Sequence, residues 1–170
     1  EGVSAYPSEV TPQMVLSFLN GGAAINVLCR HNLIDINIID MGVNYDFKHA
    51  KGLIDKKVKN GTENFAKTSA MTKAEAEISI QNGIDVFEDI FRSKKLDLAG
   101  VGDMGIGNTA SSTAIISAVT GLSPEKTTGR GTGIDDAKYK IKVDIIKKSL
   151  SIHKPISGDA IDILSKVGGF

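Results

Sequence analysis

The sequence predicts an α/β layered fold, and three observations carry that prediction. Short apolar runs of strand length alternate with longer segments of helical periodicity, and hairpin-type turn signals are few. Residues 100–108 read Gly-Val-Gly-Asp-Met-Gly-Ile-Gly-Asn, so four glycines fall in eight positions between an apolar stretch, 96–99, and a helix-like one, 109–119. A second cluster, Gly129-Arg130-Gly131-Thr132-Gly133, opens the next long helix. A strand that passes into a helix through glycines exposes backbone N–H groups at a helix N-terminus, a ready site for phosphate.

Residues 2–10 read as a loop around Tyr6-Pro7-Ser8. Thr11 suits an N-cap and Pro12 the first helical position. Val15, Phe18, Leu19, Gly22, Ala23, Ile25, Leu28 and Cys29 recur at helical spacing, which gives one helix to about His31. Gly21 and Gly22 inside it cost about 1 kcal/mol each against alanine. They read as close helix packing, or as close approach to a ligand or a neighbouring subunit. Ile34, Ile36 and Ile38 alternate with polar residues, predicting a strand over 34–41. Residues 42–51 are a loop, 52–58 are ambiguous and fit a short strand, and 61–71 are irregular.

Thr72 and Glu75 form a capping box for a helix to about Ser93. Its apolar positions Ala76, Ile78, Ile80, Ile84, Val86, Phe87 and Ile90 predict a broad buried stripe. A strand over 96–101 leads into the first glycine loop, and residues 109–120 form a helix rich in Ala and Ser. Ser123-Pro124 starts a short helical turn to Lys126. Asp135 or Asp136 starts a helix to about Ile152, and Ser157 is placed as the cap of a last helix over 159–167. No internal repeat occurs, and residues 1–170 read as a single α/β domain.

Composition narrows the function classes. Twenty basic and twenty acidic residues cancel, and no block of like charge marks a nucleic-acid surface. Lys138, Lys140, Lys142, Lys147 and Lys148 read as a solvated helix face. The lone Cys29 forms no internal disulfide, reads as packing, and fits a reducing, cytoplasmic compartment. His31, His49 and His153 have no metal-ligand spacing. No run approaches the roughly 18 apolar residues of a membrane span, and no signal peptide is visible. The chain starts without Met and stops just after a helix, which suggests a piece of a longer protein.

The first loop satisfies G-x-G-x-x-G at Gly100, Gly102 and Gly105, a weak signal by itself. A dinucleotide domain should place an acid at the end of a second strand about 20 residues on. Here that region is Ser123-Pro124-Glu125-Lys126, a turn after a helix, and Asp103 within the loop would repel a pyrophosphate. No Gly-Lys-Ser/Thr follows, so a P-loop is excluded. An acid inside an anion loop suggests divided labour, with amides of Gly105–Gly107 on phosphate and Asp103 facing a ribose, a heterocycle or a developing positive charge. Alternatively, Asp103 only ties down its own loop.

Residues 102–109, Gly-Asp-Met-Gly-Ile-Gly-Asn-Thr, closely resemble the signature of the nicotinate-nucleotide–dimethylbenzimidazole phosphoribosyltransferase family. Ser4-Ala5-Tyr6-Pro7, Glu9-Val10-Thr11, residues 13–15 and 18–28, Asp40-Met41-Gly42-Val43, residues 61–65, Ala70-Met71-Thr72 and Gly129-Arg130-Gly131-Thr132-Gly133 follow in the family's order. The resemblance covers essentially the whole chain. It implies a Rossmann-like three-layer fold with a mostly parallel sheet, the chain being the central part of the large domain of a longer enzyme.

The implied reaction transfers phosphoribose from nicotinate mononucleotide to 5,6-dimethylbenzimidazole, giving α-ribazole 5′-phosphate and nicotinate, a step in cobalamin lower-ligand assembly. The resemblance implies no metal, no cofactor and a homodimeric working unit, with small-molecule substrates and neither nucleic acid nor membrane as partner. It places Ser4, Tyr6, Gln13 and Met14 at the benzimidazole. Gln13 alternatively is a surface helix residue. Gly105, Ile106, Gly107, Asn108 and Thr109, with Gly131, Thr132, Gly133 and Lys142, are placed at the ribose phosphate, and Asp103 is a supporting catalytic residue.

Two departures stand out. The acid before Met104 is often glutamate in the family and here is Asp103. The family's general base, a glutamate, lies C-terminal of the stretch matched here, and Glu9 and Glu125 are poor substitutes by position. Other readings are a paralogue that activates adenine or a phenolic compound, a non-catalytic nucleotide-binding module, and a dinucleotide-dependent dehydrogenase.

Overall fold

The computed structural model describes residues 4, 6–131 and 133–170. They form two compact units, Tyr6–Gly61 and Thr62–Phe170, and Ser4 groups with the second.

In the first unit the expected single helix is two, α1 (Val10–Leu19) and α2 (Ala24–His31). Glu9, not Thr11, holds the N-cap position, because Val10 and Thr11 already donate to the carbonyls of Pro7 and Ser8 at 3.3 Å each. Pro12 therefore sits in the first turn, where its missing N–H leaves nothing unpaired. Gly21 takes a left-handed φ of +74° and ends α1. Asn26 then serves both helices: its Oδ1 accepts the Ala23 N–H (3.1 Å) and its Nδ2 donates to the Phe18 carbonyl (3.0 Å). Gly21 is thus needed for a turn. Helical periodicity continues across the break in phase, so spacing alone does not reveal it.

Strands β1 (Ile38–Asp40) and β2 (Leu53–Asp55) pair in parallel, with Ile38 opposite Leu53 and Asp40 opposite Asp55. The short strand within 52–58 is present. The strand expected over 34–41 is confined to the three residues that find a partner backbone, and Ile34 and Ile36 are exposed. The Asp40 carboxylate, 2% exposed, closes this unit. Its Oδ1 accepts the N–H groups of Gly42 (3.0 Å) and Val43 (2.8 Å), and its Oδ2 pairs with Lys57 Nζ at 3.2 Å. Lys57 Nζ also donates to the Val43 (2.6 Å) and Tyr45 carbonyls.

The second unit contains α3 (Lys73–Ser93), α4 (Asn108–Thr120), α5 (Pro124–Thr127), α6 (Asp136–His153) and α7 (Ala160–Val167). The capping box on α3 is as expected: Thr72 Oγ1 accepts the Glu75 N–H (3.1 Å) and Glu75 Oε2 accepts the Thr72 N–H (2.7 Å). Asp135 caps α6 through the Lys138 N–H at 2.8 Å. Asp159, not Ser157, caps α7 through the Asp162 N–H at 2.9 Å, because the chain turns at Gly158 (φ +92°) only after Ser157 has passed.

Small residues on α4 set the packing. Ala110, Ser111, Thr113, Ala114 and Ser117 are buried, which lets α5, α6 and α7 approach. Ala114, Ile146, Ile163 and Val167 form one cluster, and Phe65, Ala70, Met71, Ala76 and Ala110 form another. The irregular stretch before α3 is tied to the end of α7 by Ala70 N–H to Lys166 O (3.1 Å) and Met71 N–H to Ser165 O (2.9 Å).

Two expectations in this unit fail for one reason. The strand over 96–101 does not form; Leu98 and Val101 are 90% and 104% exposed and meet no partner backbone among the described residues. The stripe on α3 is only partly buried. Ala76 and Val86 face inward and Ile90 is half-buried, whereas Ile78, Ile80, Ile84 and Phe87 are exposed and Phe87 stacks on Phe91 at 6.1 Å. Apolar pattern gives the capacity to be covered; only a neighbour covers it.

Candidate functional site

Gly105 (φ +94°) and Gly107 (φ +86°) turn the chain onto α4 through backbone angles that suit glycine alone. Gly107 is the N-cap and offers no side chain, so no side chain caps the first-turn amides of α4. Asp103 is exposed, and its Oδ1 accepts the Gly105 N–H at 3.1 Å. It therefore does tie down its own loop, and it engages one of the amides expected to face an anion. Ile106 and Gly107 follow, half-buried. Asn108 Oδ1 accepts from Ser112 Oγ at 2.8 Å.

Lys142 joins this helix end to the second glycine cluster. Its Nζ donates to Thr109 Oγ1 at 2.9 Å and to the Gly129 carbonyl at 3.2 Å. The lysine face read from the sequence therefore divides. Lys138 and Lys140 are exposed, Lys147 pairs with Glu125, and Lys142 turns inward. Partial burial holds the Lys142 ammonium below its ordinary pKa. No carboxylate pairs with it among the described residues. A cation met only by neutral oxygens, beside uncapped helix amides, is arranged for an anion.

Gly131 lies against both groups. It has φ +58°, and a Cβ there would stand 2.9 Å from Thr109 Oγ1 and 3.6 Å from Lys142 Nζ. At Gly129 a Cβ would meet only the Gly131 backbone nitrogen, at 4.0 Å, an ordinary contact. We therefore expect Gly131→Ala to lower stability by about 1–2 kcal/mol, the penalty of a left-handed alanine. Gly129→Ala should be neutral or stabilising by a few tenths of a kcal/mol or more, through a less flexible unfolded chain. Urea midpoints of the two variants check this.

Arg130, the obvious cation of the cluster, is engaged elsewhere. Nη1 donates to Ile134 O at 3.1 Å, Nη2 pairs with Asp136, and the guanidinium lies 5.5 Å from the Tyr139 ring centroid. Gly133 is exposed with φ +94°, and Thr132 lies outside the described residues. Glu125 is held ionised below its ordinary pKa chiefly by Lys147. Of the residues expected at the heterocycle, Tyr6 and Gln13 are exposed and Met14 is half-buried, all in the first unit; Ser4 is exposed and groups with the second. The residue that sequence reasoning missed is Gly129, whose contribution is a carbonyl. Every residue has one, so no residue type signals it.

A family model described as Phosphoribosyltransferase matches residues 1–170. A relative from Geobacter sp. (strain M21), named nicotinate-nucleotide–dimethylbenzimidazole phosphoribosyltransferase, is 49% identical over 169 residues, covering 99% of this chain and 48% of its own length. A relative of the same name from Roseiflexus castenholzii is also 49% identical, with the same coverage. The crystal structure of CobT from Thermus thermophilus superposes with a TM-score of 0.89 at 38% identity, over 99% of this chain and 50% of that one. This chain thus spans about half the length of the relatives it matches. The shared fold bears out the α/β class expected from the sequence, and the match along the full chain bears out the resemblance read from its motifs. The chain belongs to the phosphoribosyltransferase family.

Proposed function

We propose that this chain carries the phosphoribose-binding part of an enzyme that converts nicotinate mononucleotide and 5,6-dimethylbenzimidazole to α-ribazole 5′-phosphate and nicotinate. The observation that carries this reading is Lys142, a cation without a carboxylate, held between Thr109 and Gly129 beside the uncapped start of α4. The name of these relatives supplies the substrates.

In this mechanism the 5′-phosphate takes the amides of Ile106 and Gly107, the first turn of α4 at Asn108 and Thr109, and the Lys142 ammonium. Gly131 and Gly133 let the second loop approach it. As the bond from the sugar carbon to nicotinate breaks, the electron pair leaves with the pyridine nitrogen and positive charge builds on the ribose. Asp103 stabilises that charge. The unprotonated benzimidazole nitrogen attacks the opposite face, inverting the sugar carbon, and the ring's other nitrogen gives up its proton. Ser4, Tyr6, Gln13 and Met14 contact the entering base. The proton acceptor is a carboxylate outside residues 1–170. The working unit is a cytoplasmic homodimer.

Nicotinate release tests this. The full-length polypeptide should release nicotinate when given the mononucleotide and 5,6-dimethylbenzimidazole. Residues 1–170 alone should bind the mononucleotide and release none. Turnover by the shorter chain at the full-length rate removes the need for an outside carboxylate. Binding without release by the full-length polypeptide makes it a nucleotide-binding module, and faster release with adenine or a phenolic acceptor reassigns the base.

A further inference from the structure

We propose that Thr109 is a positioning residue that acts through Lys142: its hydroxyl, together with the Gly129 carbonyl, aims the ammonium at the phosphate rather than touching the phosphate itself. This rests on the phosphate-binding reading above and adds to it how the cation is held.

Three observations converge. An ammonium has three donors, and here two are committed to neutral oxygens, Thr109 Oγ1 at 2.9 Å and Gly129 O at 3.2 Å. One donor remains for a ligand among the described residues. Thr109 and Lys142 stand 33 positions apart, on α4 and α6, so the contact is a tertiary one that links the two glycine loops. Gly131 lies beside the same pair: a Cβ there would stand 2.9 Å from Thr109 Oγ1 and 3.6 Å from Lys142 Nζ, so a side chain at that position would displace the contact.

Lysine is a flexible point charge, and its four-carbon stem has many rotamers. Two fixed acceptors remove most of them before the anion arrives, so less ordering remains to be done on binding. Valine at 109 keeps the branched shape but cannot accept a hydrogen bond, whereas serine keeps the acceptor. The backbone carbonyl of Thr109, which receives the Thr113 hydroxyl at 2.8 Å, is untouched by either change.

The test is a double-mutant cycle in the full-length polypeptide, read as the Kd of nicotinate mononucleotide by calorimetry. We expect Thr109→Val to weaken binding about tenfold, as loss of one hydrogen bond to a charged group would. Thr109→Ser should stay within about twofold of the parent. In a Lys142→Met background, Thr109→Val should have no further effect, because the group it acts through is gone. The alkaline limb of the binding profile should also move to lower pH in Thr109→Val and return in Thr109→Ser, since the hydroxyl oxygen favours the charged amine.

An equal loss from Thr109→Val with and without Lys142 overturns the inference and leaves phosphate binding by Lys142 intact. An unchanged Kd in Lys142→Met overturns the phosphate reading and this inference with it. A folding defect confined to Thr109→Val leaves the serine variant and the Lys142→Met pair to decide: weak binding by Thr109→Ser with Lys142 still required also overturns the inference.

Discussion

Lys142→Met is expected to weaken nicotinate mononucleotide binding by about 10- to 150-fold, the range for losing one hydrogen bond to a charged group. Methionine keeps the length of the stem and removes the charge. The same substitution should leave folding stability at pH 7 unchanged or slightly higher. Burial lowers the Lys142 pKa in the folded chain, so wherever the pH lies below the folded value the folded state bears the full cost of desolvating the cation. That cost falls away as pH rises from the folded value toward the unfolded one.

Binding has the opposite pH dependence. A bound phosphate favours the charged amine, so affinity falls as pH climbs through the lowered free value, earlier than it would for an ordinary lysine. In Lys142→Met this alkaline limb should vanish. Calorimetric titration across pH 7 to 10 checks the binding, and urea unfolding checks the stability. A variant that binds normally with lowered stability would make Lys142 a structural residue.

The largest stability effect is expected at Asp40. Its carboxylate is 2% exposed and receives two backbone N–H groups and the Lys57 ammonium. Asp40→Ala leaves those N–H groups without their acceptor and the Lys57 cation without its counter-charge, and should cost about 3–5 kcal/mol, as removal of one member of a buried ion pair does. Asp40→Asn should lie between. Its amide oxygen can still accept from Gly42 and Val43, but its amide nitrogen is a second donor facing Lys57. The affected structure is the turn from β1 to Val43 and the return to β2, so hydrogen exchange should speed up first at Gly42, Val43 and residues 53–55. Urea unfolding gives the magnitude; a loss under about 1 kcal/mol for Asp40→Ala would make the carboxylate replaceable by water.

Several features are legible in the sequence because they are local. The Thr72–Glu75 capping box and the Asp135 cap need residues three positions apart, and both form. The glycines at 105, 107, 131 and 133 all take positive φ, which a glycine-rich loop entering a helix anticipates. The break between α1 and α2 is also local, yet the sequence does not show it. Asn26 can cap a helix only once Gly21 has turned the chain, and the apolar spacing on either side gives no sign of it.

What the sequence determined by itself is therefore the identity of the short-range parts: which residues cap, where glycine is required, and the ordered motifs that place the chain in its family. Composition and periodicity do not separate Lys138, Lys140 and Lys142, which are chemically alike; the family resemblance singled out Lys142, and only tertiary structure supplies the inward contact it makes with Thr109, 33 positions away. Tertiary structure also decided that Ala76 and Val86 are buried while Ile80 and Ile84 are not, and that residues 96–101 carry a strand's composition without a strand's hydrogen bonds. A cap or a turn is satisfied by atoms a few bonds along the chain. Burial and strand pairing are properties of two surfaces, and a one-dimensional pattern describes only one of them.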